Sequence, residues 1–189
     1  DAEFVARMED VVDLYSEPLD EKRPVVCFDE VPTQLIAETR TPIPAKPGET
    51  QRVDYEYQRN GTANIFMTIN PKAGRRHAKV TERRTNVDFA KCMRDLVDDH
   101  YPDAECIRVV LDNLSTHKPG SLYEAFEPAE ARRIIRRLEF HFTPKHASWL
   151  NMAEIEIGVL TKQCIDRRIP DIETLRQQVA AWEGPRNEK

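Results

Sequence analysis

Two short apolar runs that each lead directly into an aspartate constrain the fold of this chain most. The first is PVVCFD at residues 24–29, and the second is RVVLD at residues 108–112. Short apolar runs of this kind predict buried strands. In sheets with crossover connections, functional sites lie beyond the carboxyl ends of the strands. The sequence therefore predicts two carboxylates, Asp29 and Asp112, at one edge of a sheet.

The segments around these runs predict a mixed sheet. A hairpin over residues 62–81 and a strand over residues 138–142 complete a set of five strands. Helical spacing of apolar residues predicts flanking helices, beginning with a leading helix over residues 1–18. Prolines and polar residues favour a long loop or irregular hairpin over residues 33–60. The predicted class is α/β, with a mixed five-stranded sheet flanked by helices.

Capping residues mark where the later helices begin. Asn86 is the predicted cap of the helix that follows the hairpin, and Asp171 is the predicted cap of the last one. Residues 121–137 read as helical with a break near Pro128. A long helix is predicted from Asn151 to about Arg168.

Composition limits the classes of protein that this chain can be. Its 189 residues, 40% hydrophobic and 32% charged, have the size and balance of one globular domain over residues 1–189. No apolar run is long enough to span a membrane, so we expect a cytoplasmic protein. The net charge of −5 argues against a wholly basic nucleic-acid-binding module, although local basic patches remain. The four cysteines form no CxxC pair, which argues against a zinc ribbon.

A third carboxylate is needed if Asp29 and Asp112 are to share divalent cations. Mg²⁺ prefers oxygen ligands, and two ions ~3.5–4 Å apart can clamp the attacking and leaving oxygens of a phosphoryl transfer. The candidate is Glu154, in SWLNMAE at residues 148–154. Glu156 is a rival, because this helix is apolar nearly all round and its periodicity does not choose between the two glutamates.

Each acid also has a purely structural explanation. Asp-Asn after a strand is a common opening of a turn, so Asp112 alone is compatible with a turn. If Asn151 caps its helix, Glu154 completes a capping box, with Leu150 and Ile155 as a hydrophobic staple. The explanation for the aspartates weakens because both apolar runs end in the same way.

Four motifs, in this order along the chain, resemble one known family. They are CFDE at 27–30, YQRNGTANIF at 57–66, VVLDNLSTH at 109–117 and HASWLNMAE at 146–154. Together they closely resemble the catalytic domain of bacterial insertion-sequence transposases of the mariner-like superfamily, which are DDE superfamily endonucleases. The resemblance covers nearly the whole chain.

The resemblance implies a ribonuclease-H-like fold with an acidic metal-binding triad. By motif position the triad is Asp29 on the first strand, Asp112 on the fourth strand and Glu154 at the start of the helix after the last strand. It would hold two Mg²⁺ or Mn²⁺ ions. The implied reaction is hydrolysis at transposon ends, followed by attack of the freed 3′-hydroxyl on target DNA. The implied partners are double-stranded DNA, at the transposon ends and the target, and a second copy of the chain in a homodimer.

The chain departs from the family pattern in three ways, one of which is that it stops before the C-terminal segment expected of the family. Family members usually carry an N-terminal helix-turn-helix region, and we expect this DNA-recognition domain to be absent from residues 1–189. The spacing between Asp112 and Glu154 is longer than usual, and the excess is expected around residues 119–137.

When bound to DNA, the protein would be associated with the nucleoid.

Several other polar residues are candidates for supporting roles. Asn113, His117 and Glu30 could orient the acids, although a polar turn also explains the first two. The residues expected to contact DNA phosphates are Arg132, Arg133, Arg136, Arg137, Lys145 and His146. An ordinary charged surface is the alternative for the arginines, and a solvated loop for Lys145 and His146. Trp149 is predicted to be a packing anchor.

Two other functions are compatible with the same residues. The chain could be a non-catalytic DNA-binding or assembly remnant of a transposase, although its retained acids argue against this. It could also be a ribonuclease-H-like nuclease, which differs from a transposase only in its substrate.

Overall fold

The core of the protein is a mixed sheet of five strands, as predicted. The computed structural model describes residues 1–188. In spatial order the sheet runs β3-β2-β1-β4-β5. The first three strands are antiparallel neighbours, and β4 and β5 run parallel to β1. The strands are β1 (Val25–Glu38), β2 (Tyr57–Asn70), β3 (Arg75–Thr81), β4 (Ile107–Leu111) and β5 (Leu138–Phe142).

Helices cover both faces of this sheet. They are α1 (Ala2–Ser16), α2 (Asn86–Asp95), α3 (Gly120–Ala125), α4 (Pro128–Ile135), α5 (Met152–Leu160) and α6 (Ile172–Asn187). One apolar cluster joins α1, α5 and α6 to the sheet, and a second cluster joins α2, α3 and α4 to the opposite face. All five residues of β4 are buried, as expected for a strand covered on both faces. The predicted leading helix is α1, and the predicted break near Pro128 separates α3 from α4.

The helix caps match the sequence in one case and shift by one residue in another. The Asp171 side chain accepts a hydrogen bond from the amide of Thr174 and caps α6, as predicted. The cap of α2 is Thr85 and not Asn86, because Thr85 and Asp88 form a reciprocal capping box. The predicted long helix from residue 151 is α5, which continues into a wider π-helical turn at Thr161–Ile165.

Residues 33–60, predicted as a long loop or irregular hairpin, include the end of β1 and the beginning of β2, which pair antiparallel. Strand β1 continues to Glu38, and β2 begins at Tyr57. The strand tolerates Pro32 because this residue lies beyond Cys27, the last residue of β1 that pairs with β4. Its nitrogen faces the side on which β1 has no neighbouring strand at that level. Asn60 and Gly61 form a bulge within β2, where Gly61 has a φ of +95°.

No helix within residues 1–188 combines the length and apolar character needed to cross a membrane.

A buried ionic cluster fixes α5 and α6 to β3. Glu156 is buried, and its Oε1 lies 2.7 Å from Arg76 Nε and 3.0 Å from Arg186 Nη2. Arg76 is also buried, so these charges compensate each other away from water. Glu156 therefore has a structural partner on each of two neighbouring elements.

Replacing Glu156 by glutamine should destabilise the fold. Removing one member of a buried ion pair leaves the other charge unpaired, and Glu156→Gln should lower the free energy of unfolding in urea by about 3 kcal/mol. The matched control is Glu154→Gln, because Glu154 is exposed on the same helix. Equal losses of stability in the two variants would contradict the structural role of Glu156.

Candidate active site

The register between β1 and β4 places the two predicted aspartates at the same level of the sheet. The parallel pairing ends with Cys27 opposite Val110. Asp29 and Asp112 each lie two residues beyond this last pair. Asp112 follows the last residue of β4, whereas Asp29 lies inside β1, which does not end there. The prediction of a strand ending at Asp29 is therefore wrong: β1 stays paired with β2 beyond Asp29, and only its pairing with β4 ends nearby, at Cys27.

Both aspartates belong to the face of the sheet that α5 covers. Side chains alternate between the two faces of a strand, so Asp29 shares the face of Cys27, and Asp112 shares the face of Val110. Cys27 and Val110 belong to the apolar cluster that includes Ala153 and Leu160 of α5. The carboxylates therefore lie on the side from which α5 delivers Glu154.

Asp29 is a partly buried acid surrounded by other negative charges. Burial raises its pKa to about 7, and the charges of Glu30, Asp112 and Glu154 add to the shift. Its Oδ1 accepts a hydrogen bond from the Glu30 amide at 2.8 Å. Asp112 and Glu154 are therefore near enough for their charges to act on Asp29.

Asp112 is held by a buried histidine. His117 Nδ1 lies 2.6 Å from Asp112 Oδ1, and the Leu114 amide donates to the same oxygen at 3.0 Å. Burial raises the pKa of Asp112, but these hydrogen bonds outweigh it and the net shift is downward. The bond from the Leu114 amide is the turn contact that offered a purely structural explanation of Asp112. The contact with His117 is additional to it.

His117 bridges two carboxylates behind the site. Its ring is only 1% exposed, and its Nε2 lies 3.2 Å from Glu30 Oε2. Burial lowers the pKa of His117, but Asp112 and Glu30 outweigh it and raise the value to about 9. Arg84 lies 3.6 Å from the other oxygen of Glu30. The negative charge of Glu30 is thus compensated by Arg84 and by protonated His117, and Glu30 can support the His117 ring.

Of the two rival glutamates, Glu154 has the free carboxylate. Glu154 is exposed, and its side chain has no hydrogen-bond or ionic partner within residues 1–188. The capping box that offered another explanation does not form, because the Asn151 side chain accepts from the Ala153 amide. The staple is absent too, since Ile155 is exposed. Glu156 is committed to its buried cluster.

Asn113 is used within the protein. Its Nδ2 donates to the Thr143 carbonyl at 2.6 Å, and its Oδ1 accepts from Arg7 Nη1. It therefore joins the end of β4 to the end of β5 and to α1, as a turn-shaping residue would.

The chemistry of these side chains suits hard divalent cations. The three acids offer only carboxylate oxygens, which Mg²⁺ and Mn²⁺ accept as ligands. Burial is the main cause of the raised pKa of Asp29, and the repulsion from neighbouring acids that adds to it is the kind that a bound cation would relieve. Across residues 1–188, no three His, Cys, Asp or Glu side chains are already gathered closely enough to hold an ion. Closure around a cation would therefore require movement, for which the unpartnered Glu154 side chain is free.

Comparison with known proteins decides the family. The sequence profile described as DDE superfamily endonuclease matches residues 24–176. This chain belongs to the DDE superfamily endonucleases. Members of this family use divalent metal ions. No curated protein sequence matches the chain.

Solved structures share the fold of this DDE endonuclease domain at low sequence identity. The Mos1 mariner paired-end complex with Mn has a TM-score of 0.61 and 12% identity, over 97% of this chain and 59% of that chain. The Mos1 strand transfer complex has a TM-score of 0.61 and 10% identity, over 94% and 51%. The Mos1 transposase paired-end complex with left transposon end has a TM-score of 0.60 and 13% identity, over 94% and 52%. The chain thus spans just over half the length of these Mos1 chains.

The four predicted DNA-contacting arginines lie at the wrong end of the sheet for the acids. Arg137 donates to the carbonyls of Tyr101, Pro102 and Ala104, just before β4 begins, whereas Asp112 follows its last residue. Five residues of β4 separate these ends by about 16 Å. Arg133 is also occupied, because Asp98 and Glu130 pair with it. Arg132 and Arg136 are exposed on the same helix or directly after it.

Other basic residues lie at the edge that carries the acids. Strands β3, β4 and β5 all end at this edge, because β3 and β1 run in the same direction on either side of β2. The loops that follow them carry Arg83, Lys118, Lys145 and His146, which are exposed and have no ionic partner within residues 1–188. Two of these, Lys145 and His146, were predicted from the sequence. Arg83 and Lys118 were not, because only the strand order brings them to this edge.

Sequence reasoning also missed two residues that hold the site from behind. The Tyr15 hydroxyl donates to the Leu150 carbonyl at 2.7 Å, and Asn151 contacts β1 as well as capping α5. Neither contact leaves a local signal, because the partners lie far apart in the sequence. The prediction of Trp149 as a packing anchor is wrong, since its side chain is 65% exposed.

The protonated state of His117 predicts how the stability of the metal-free protein depends on pH. The pKa of His117 is about 9 in the folded state and about 6.5 when unfolded, so its contribution is complete below pH 6.5 and is lost as the pH rises. Stability to urea in a chelator should therefore fall between about pH 6.5 and about pH 8.5. His117→Gln should be flatter over this interval.

The interval below pH 6.5 is less informative, because two groups oppose each other there. The raised pKa of Asp29 makes stability fall with rising pH, whereas the pKa of His100, lowered to about 4 by burial and by His77, makes it rise. A wild-type protein whose stability rose between about pH 6.5 and about pH 8.5 would contradict the assignment of His117 as a proton-bearing bridge.

Proposed function

We propose that this DDE endonuclease domain is the catalytic domain of a DNA transposase of the bacterial insertion-sequence type. It would cleave DNA at transposon ends and join the freed 3′ ends to target DNA, in the cytoplasm and at the nucleoid. The observation that carries the proposal is the matched position of Asp29 and Asp112 on the face covered by α5, in a chain of this family. The Mos1 transposase complexes with the same fold support transposition as the reaction.

Asp29, Asp112 and Glu154 are the residues that would hold the metal, as two Mg²⁺ or Mn²⁺ ions. When bound, such ions would activate water or a 3′-hydroxyl as the nucleophile and stabilise the leaving oxygen. The Mos1 paired-end complexes with Mn and with Mg support this choice of ions.

The residues behind the acids would fix their orientation. His117 holds one oxygen of Asp112 and leaves the other free to face a ligand. Glu30 holds the opposite side of the His117 ring, so the imidazole is fixed between two carboxylates. Asn113 would shape the turn that follows Asp112.

The DNA would lie along the edge of the sheet that carries the acids. Lys118 and Lys145 are exposed on the loops at this edge, and His146 is beside Lys145. These residues would contact phosphates, which position the duplex without reading its sequence. Terminal-repeat recognition would belong to a separate domain of the complete gene product, with residues 1–189 as its single catalytic domain. The active complex would be a homodimer, as the paired-end complexes of Mos1 suggest.

Removing any one of the three acids should abolish cleavage. We expect Asp29→Asn, Asp112→Asn and Glu154→Gln each to lower the rate by ~10³-fold or more, which corresponds to about 4 kcal/mol of lost transition-state stabilisation. The measurement is Mn²⁺-dependent nicking, by the complete gene product, of DNA that carries the sequences flanking its gene. Glu156→Gln, assayed at a temperature where it remains folded, is the matched control and should keep most of the activity.

The same assay separates the alternatives. Cleavage without joining to a second DNA would indicate a ribonuclease-H-like nuclease. Binding without metal-dependent cleavage would indicate a non-catalytic remnant. An Asp112→Asn variant that cleaved at the wild-type rate would contradict the proposed site.

The salt dependence of DNA binding should distinguish the two edges of the sheet. Each lost phosphate contact reduces the slope of log K against log salt by roughly 0.9, so Lys118→Ala/Lys145→Ala should reduce it by roughly 2. Arg132→Ala/Arg136→Ala changes the net charge equally at the far edge and should leave the slope nearly unchanged. The reverse result, measured by fluorescence anisotropy with duplex DNA, would restore the arginines as the DNA-binding group.

A further inference from the structure

We propose that Asn151 is a positioning residue that fixes the strand bearing Asp29 and the helix bearing Glu154 in one geometry. The proposal rests on the proposed function, because it concerns the same carboxylates. Asn151 is only 1% exposed, so its amide must find its hydrogen bonds within the protein.

The amide nitrogen of Asn151 binds the strand. Its Nδ2 donates to the Phe28 carbonyl at 2.9 Å and lies 3.4 Å from Asp29 Oδ2. Asp29 is thereby held from both sides, since its other oxygen accepts from the Glu30 amide. Without Asn151, the Oδ2 atom of Asp29 would lose its hydrogen-bond donor, and only Oδ1 would remain bonded.

The Phe28 carbonyl is the first one beyond the β1–β4 ladder. The Arg108 amide donates to the Pro24 carbonyl, and carbonyls alternate in direction along a strand, so those of Pro24, Val26 and Phe28 face β4. The paired residues end at Cys27 and Val110. Asn151 therefore supplies the donor that a longer β4 would have supplied, at the position where the strands separate to expose the acids.

The amide oxygen of Asn151 binds the helix. Its Oδ1 accepts from the Ala153 amide at 3.2 Å and caps α5 at the turn that carries Glu154. One carboxamide thus donates to the strand and accepts from the helix. Aspartate or serine could cap the helix but could not donate an N–H to Phe28, so the combination requires an amide at this position.

A second tether keeps the adjoining turn in place. The Tyr15 hydroxyl donates to the Leu150 carbonyl at 2.7 Å and lies 3.1 Å from Cys27 Sγ. The residues on either side of the Leu150–Asn151 peptide are therefore both attached to β1, directly or through α1. The start of α5 cannot move relative to Asp29 without breaking one of these bonds.

Asn151→Ser separates positioning from capping. Serine keeps a capping oxygen but cannot reach Phe28 or Asp29. We expect it to fold like the wild type and to bind Mn²⁺ ~10–100-fold more weakly in isothermal titration calorimetry, as is typical when a group that orients a metal ligand is lost. Asp171→Ser is the matched control, because it changes the cap of α6 far from the acids, and its affinity for Mn²⁺ should be unchanged.

A metal-free measurement keeps the two proposals distinguishable. In the crystal structure of metal-free Asn151→Ser, the Asp29 carboxylate should leave its wild-type orientation and the start of α5 should shift away from β1. Suppose that this shift occurs, but that the wild type shows no Mn²⁺ binding that depends on Asp112. The positioning role of Asn151 then stands, and the proposed metal-dependent function fails. If Asn151→Ser keeps both the wild-type geometry and the wild-type Mn²⁺ affinity, the positioning role is overturned.

Discussion

The short parallel ladder between β1 and β4 is the constraint on which the rest of the site depends. Only three residue pairs form it, from Val25 and Arg108 to Cys27 and Val110. Its register sets the two aspartates level with each other. Because the ladder ends two residues before them, no backbone hydrogen bonds of the ladder join β1 and β4 at their level. A longer ladder would fill this space with backbone hydrogen bonds, and a shift of one residue would turn one aspartate to the opposite face.

The helices on the two faces have different relations to this ladder. The layer of α1, α5 and α6 supplies the third acid and closes the open end of the ladder through Asn151. On the opposite face, the ring of His117 packs against Phe28 of β1 and Phe89 of α2. One aspartate is therefore oriented from the helix that carries Glu154, and the other from a histidine behind the sheet.

Local patterns were sufficient for most of the elements. The five strands, the flanking helices and the break at Pro128 follow from periodicity and from breakers that act over a few residues. Strands β1 and β2 extend further into residues 33–60 than the polar and proline-rich composition of that segment suggests, because their antiparallel pairing outweighs local propensity. Only the tertiary structure could place the arginine quartet in the molecule. Helical spacing shows that Arg132 and Arg136 share a face, but not at which end of the sheet that face lies.

The sequence by itself determined the elements, the two apolar strands that lead to Asp29 and Asp112, and the family to which their motifs belong. It left Glu154 and Glu156 unresolved, because the periodicity of an almost wholly apolar helix does not distinguish its faces. Tertiary structure distinguishes them, because it pairs Glu156 with Arg76 and Arg186 and leaves the Glu154 carboxylate exposed. It also gave His117 and Asn151 their contacts with the acids. The contacts of Asn151 depend on the docking of α5 against β1, which brings together residues more than a hundred positions apart.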